Sequence, residues 1–91
     1  MDPYEEPRKA LRRIDAQIAR LLERRAEIAE EIGQIKRRRG DSVRKPEVER
    51  AKLREARARV DFPHAWHAQA ILRKAMRYSV AIQRRICGPE A

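Results

Sequence analysis

Five residues interrupt otherwise apolar helical stripes in this chain: Arg25, Lys36, Glu49, Ser79 and Gln83. Two cations, one acid and two neutral hydrogen-bonding groups turned inward suit a small ligand. That ligand would carry carboxylates, an ether or carbonyl oxygen, and a hydroxyl. A nucleic-acid duplex wants its cations outward on one face and fits this set poorly. Singly, each residue has an ordinary reading. Arg25 and Lys36 can snorkel from the flank of a coiled coil. Glu49 can be a first-turn acid favoured by the helix dipole. Ser79 and Gln83 can be satisfied structural polar groups. Only if one bundle gathers the five do they make a pocket.

The element that must position the cations is the stretch from Arg8 to Lys36. Its apolar residues fall at Leu11, Ile14, Ile18, Leu21, Ile28, Ile32 and Ile35, a heptad seam with Arg25 at the one seam position that is not apolar. An unpaired charge inside a core is costly, so a cation there calls for an anionic partner. Lys36 lies three turns further on, about 16 Å along the same face. The helix is expected to start at Pro7, after a frayed segment 1–6, and to run to Arg39. Gly40 then ends it. At 1.5 Å per residue it is about 45–50 Å long. Two short helices folded back on it cannot cover such a seam, so a second copy of the chain is expected.

Residues 40–45 read as a loop. Pro46 suits the first position of a second helix, 46–59, whose stripe is Glu49, Leu53, Ala56 and Val60. Asp61-Phe62-Pro63 breaks the pattern. Asp61 is a candidate cap for a third helix, 62–86, with Pro63 in its first turn. Its stripe is Leu72, Ala75, Met76, Ser79, Val80, Gln83 and Ile86, with Ser79 and Gln83 one turn apart. The expectation is an all-α fold: residues 1–91 as one domain, three helices per chain, one long and two shorter.

Composition narrows the partners. The net charge is +9, from 23 Lys and Arg against 14 Asp and Glu, which attracts anions without choosing among them. The densest basic run, Lys36-Arg37-Arg38-Arg39, reads as a solvated helix end complementing the dipole. It also leaves open a competing class, a basic helical module binding nucleic acid or a partner helix. No apolar run approaches the ~20 residues of a membrane span. Met1–Glu6 lack the features of a secretory signal. A single cysteine, Cys87, points to a reducing cytoplasm. His64, His67 and Cys87 have no partners at ligand spacing, so no metal is expected. No motif calls for a cofactor. Trp66 reads as a packing residue.

Several segments resemble the all-helical class of chorismate mutases (type II, in its monofunctional or small-domain form). They are Leu11–Arg25, Ile32-Gly33-Gln34-Ile35-Lys36, Val43–Glu49 and Ser79-Val80-Ala81-Ile82-Gln83. Together they span nearly the whole chain, Arg8 to Ile86, and the combination of spacings is specific. The resemblance implies an intertwined homodimer forming a six-helix bundle, each active site using both subunits. It implies chorismate as substrate, rearranged to prephenate in phenylalanine and tyrosine biosynthesis, with no cofactor. By position, Arg25 of one chain and Arg8 of the other would hold the two carboxylates. On a straight helix those two lie about 25 Å apart, too far to share a small ligand within one chain. Lys36 and Gln83 would hold the ether oxygen. Glu49 would take the ring hydroxyl, helped by the backbone near Lys45, and Ser79 would contact a carboxylate. Two positions depart from the family pattern: Lys45 stands where Asp is usual and Val48 where Arg is usual. Both bear on which ring substituent is read. Relatives on the fold that act as isochorismate-pyruvate lyase or on 4-amino-4-deoxychorismate are therefore the alternatives.

Overall fold

A computed structural model describes all residues, Met1–Ala91, as three α-helices with no strand. Helix α1 spans Glu5–Arg39, α2 Pro46–Arg59 and α3 His64–Cys87. The chain is a rod of 60 × 24 × 16 Å, its length set by α1. Helix α3 packs against both α1 and α2, whereas the backbones of α1 and α2 do not approach each other. The space between those two helices, floored by α3, is where a pocket can form.

The boundaries differ from the sequence reading at both helix starts. Residues 1–6 are not wholly frayed, because α1 begins at Glu5. An Asp2 carboxylate oxygen accepts the Tyr4 N–H at 2.8 Å, and the Tyr4 carbonyl accepts the Arg8 N–H at 3.0 Å. Pro7 sits in the first turn, where its missing N–H removes a donor that has no intrahelical partner anyway. Helix α3 begins at His64 rather than at residue 62. Pro63 is its cap residue, after a cis Phe62–Pro63 peptide bond, and Asp61 accepts the Ala65 N–H through its backbone carbonyl, not its side chain. Trp66 is not a core residue. It stands edge-on to Phe62 at 5.3 Å, and both rings are exposed.

The C-terminal end of α1 follows the sequence expectation. Gly40 adopts the left-handed conformation (φ 71°), and both its N–H and that of Asp41 reach the Lys36 carbonyl. The loop then turns back so that Val43 is buried, 3% exposed. Little else is enclosed. Only 7 of 91 residues are buried, among them Ala29 and Gly33 of α1, Ala56 of α2, and Ile82 and Gln83 of α3. One close approach depends on a missing side chain. A Cβ on Gly33 would lie 3.0 Å from Ile86 Cδ1 and 3.3 Å from Gln83 Cγ. Glycine here lets α3 settle against α1 one turn before Lys36.

Candidate active site

The C-terminal half of α1, the loop, the start of α2 and the middle of α3 enclose a cavity of about 290 Å³. That is near the lower end of the range for small-ligand pockets. Arg25, Lys36, Glu49, Ser79, Gln83 and Lys45 all line it. Six of the seven residues singled out from sequence therefore converge on one space. Arg8 does not. It lies near the start of α1, exposed, with Asp2 at 3.9 Å and its guanidinium 4.9 Å from the centre of the Tyr4 ring.

Lys36 leaves the last turn of α1 and is held on two sides. Its ammonium donates to the Val43 carbonyl at 2.5 Å and to Gln83 Oε1 at 2.8 Å. A lysine has only donors, so the amide oxygen of Gln83 must be the atom facing it. That fixes the amide and leaves the Gln83 NH2 as a donor toward the cavity. The ammonium also keeps one N–H uncommitted. Two donors thus meet between α1 and α3. Burial lowers the Lys36 pKa below the ordinary lysine value, and the positive charges of Lys45 and Lys52 lower it further.

Arg25 is fixed through one terminal nitrogen, Nη1, which donates to the Ala75 carbonyl at 3.0 Å and to the Ser79 hydroxyl. The Ser79 hydroxyl in turn donates a hydrogen bond to the Ala75 carbonyl at 3.1 Å, closing the triangle. The second terminal nitrogen and Nε of Arg25 remain available. Ser79 therefore acts in this structure as a seat for the guanidinium. The α3 stripe from Leu72 to Ile86 faces inward as its spacing implies, every member half-buried or buried.

Glu49 is gripped by a residue the sequence reading passed over. Arg44, in the loop, donates to both carboxylate oxygens, at 3.2 and 2.9 Å. The hydrogen bond from Arg44 holds the Glu49 carboxyl below its usual range, so it is an acceptor at neutral pH. Lys45 caps α2 with its backbone: its carbonyl accepts the Val48 N–H at 3.0 Å and the Glu49 N–H at 3.1 Å. Lys52, one helical turn beyond Val48, is a further cation on the wall that periodicity did not flag. Arg44 lies outside any helix and so outside any periodic signal. Its proximity to Glu49 in sequence was the only hint.

The cavity thus presents Arg25 at one end, paired donors at Lys36 and Gln83, and an ionised acceptor at Glu49. The family model described as chorismate mutase type II matches residues 7–84, and the chain belongs to that family. No curated protein and no solved structure matches it.

Proposed function

We propose that this member of the chorismate mutase type II family rearranges chorismate to prephenate, within phenylalanine and tyrosine biosynthesis in the cytoplasm. The observation that carries the reading is the pair of free donors at Lys36 and Gln83, facing one cavity that also holds Arg25 and Glu49. The reaction is intramolecular. A C–O bond to the ether oxygen breaks as a C–C bond forms, with no covalent intermediate and no group entering or leaving. Catalysis then needs two things. The substrate must be held in its compact reactive conformer. The negative charge that grows on the ether oxygen must meet preorganised donors. The free ammonium N–H of Lys36 and the NH2 of Gln83 supply the second. Arg25 takes one carboxylate, and the ionised Glu49 accepts the hydrogen bond of the ring hydroxyl.

One chain cannot supply a second carboxylate clamp from Arg8, which sits at the far end of α1. We assign that role to Arg8 of a second copy. The exposed seam of α1 supports such a homodimer, with Leu11 at 59%, Ile14 at 49%, Ile18 at 44% and Leu21 at 68% exposure. Two such chains joined along α1 form a six-helix bundle with two shared sites. The basic-module alternative gains no support. Lys36 turns into the cavity, and Arg39 is paired with Asp41 at 2.9 Å.

The lip of the cavity carries Lys45 and Val48. These residues face the part of the ligand where chorismate, isochorismate and 4-amino-4-deoxychorismate differ. Incubation with each of the three, followed by product analysis, tests the assignment. Prephenate from chorismate as the fastest conversion is expected. Preferential release of pyruvate from isochorismate, or preference for the amino compound, reassigns the substrate. No turnover of any of the three by a folded dimer overturns the proposal.

A further inference from the structure

A second concavity, of about 600 Å³, lies between α2 and α3; no residue of α1 lines it, and it shares Glu49, Met76 and Val80 with the first cavity. Its walls carry four guanidinium groups: Arg44, Arg73, Arg77 and Arg84. Glu49 is the sole carboxylate there, and Arg44 already holds both of its oxygens. Arg73, Arg77 and Arg84 take part in no ion pair within the chain. Their spacing of four and seven places them on one face of α3. Like charges one turn apart oppose helix formation unless something neutralises them. The Nε of Arg84 is fully enclosed and has no hydrogen-bond partner. A buried donor without an acceptor is costly, and this one belongs to a guanidinium that lines the cationic cleft. Met76 and Val80 add an apolar floor.

We propose that this α2–α3 cleft is a second binding site, backing onto the cavity that holds Lys36 across Glu49, Met76 and Val80, for a small organic monoanion or dianion. The ligand class is a phosphate or carboxylate on an apolar body. Guanidinium forks match the planar or tetrahedral oxygens of such groups in two-point contact. The apolar floor takes the remainder of the molecule. The cleft's existence does not rest on the reaction assigned to the first cavity, so binding rather than turnover reads it.

Phenyl phosphate serves as the probe, titrated calorimetrically into the full chain carrying Arg25→Gln, which weakens anion binding in the first cavity. Saturable binding is expected. Adding Arg73→Gln and Arg77→Gln should weaken it at least tenfold, and Arg77→Gln alone should weaken it by a smaller factor. Either variant can carry the test if circular dichroism shows that the other has lost its helices. Lys74→Gln removes the same charge from α3 but outside the cleft, and should leave binding unchanged. Inorganic phosphate should bind more weakly than phenyl phosphate, and benzyl alcohol should not bind. The proposal is overturned by any of four results: no binding to the Arg25→Gln chain, equal binding after both arginines are removed, an equal loss with Lys74→Gln, or benzyl alcohol binding as well as phenyl phosphate.

Discussion

The two halves of α1 carry the same heptad and differ in how far the chain itself covers them. From Arg25 onward the helix packs on α3, with Ala29 and Gly33 buried and Arg25 and Lys36 engaged across the interface, while its seam residues Ile28, Ile32 and Ile35 keep 39%, 37% and 46% exposure. Before Arg24 every large apolar seam residue stands open, Leu11, Ile14, Ile18 and Leu21 among them. Fully burying a Leu or Ile side chain is worth about 1.5–3 kcal/mol. Four of them rival the ~5–15 kcal/mol that holds a whole small domain together. The contrast teaches that periodicity announces a partner without saying whether the same chain provides it. Helix α3 answers the C-terminal half in part. In our proposal a second molecule covers the other half and brings Arg8 with it.

Breaking the open half should have the largest effect. Ile18→Asp places a charge in the middle of the uncovered seam. We expect the assembly to dissociate in sedimentation and turnover to vanish with it. A wild-type chain that sediments as a stable folded monomer at micromolar concentration defeats the dimer outright. A sharper test joins the halves. Arg8→Ala and Arg25→Ala should each be nearly inactive, yet a mixture that exchanges subunits should regain one intact site per heterodimer. Exchange without recovery rules out a shared site.

The covered half is tested at Lys36. Lys36→Ala should lower kcat by about 10²–10³-fold, the scale of a lost oxyanion donor. Because burial and Lys45 lower the pKa of Lys36, its protonated form is lost at lower pH than for an ordinary lysine. Wild-type activity should therefore stay level through neutral pH and fall on the alkaline side earlier than a solvent lysine would dictate. Gln83→Glu should be poor at neutral pH, where a carboxylate opposes the growing charge, and should recover as acid protonates it. Parity with the wild type at neutral pH would mean that Gln83 does not face the reacting oxygen. The smallest effect is expected from Gly33→Ala. Alanine favours the helix by up to about 1 kcal/mol, but its methyl would press on Ile86 and Gln83. Stability should change little, while kcat falls less than tenfold through displacement of the Gln83 amide.

What could be read in advance follows from where periodic signals exist. The α3 stripe was legible because seven residues repeat at helical spacing, and Gly40 was legible because a left-handed cap favours glycine. Arg44 and Lys52 were not singled out. Arg44 acts from a loop, where side-chain direction depends on the turn rather than on spacing, and Lys52 reaches the wall from the edge of a charged helix. Gly33 was not singled out, since only the observed packing shows what its absent side chain makes room for. The exposed start of α3 escaped for the same reason: Trp66 looks like core by type, but no neighbouring helix reaches it. The early start of α1 turned on Asp2, whose carboxylate and carbonyl organise a turn that composition alone does not distinguish from a frayed end.

The unbroken length of α1 makes it a ruler. In an antiparallel pair related by a two-fold axis, Arg8 of one helix can stand opposite Arg25 of the other only if the axis passes midway between them. Insert seven residues between those positions and the axis moves to the new midpoint, so the same two arginines still face each other. The seam stays in phase, and the two sites simply move apart by about 10 Å. Insert one residue and every later side chain turns by about 100° away from its partner, since an α-helix has 3.6 residues per turn. Changes of length in this helix should therefore be accepted in whole heptads, with each site intact and only the distance between the sites altered.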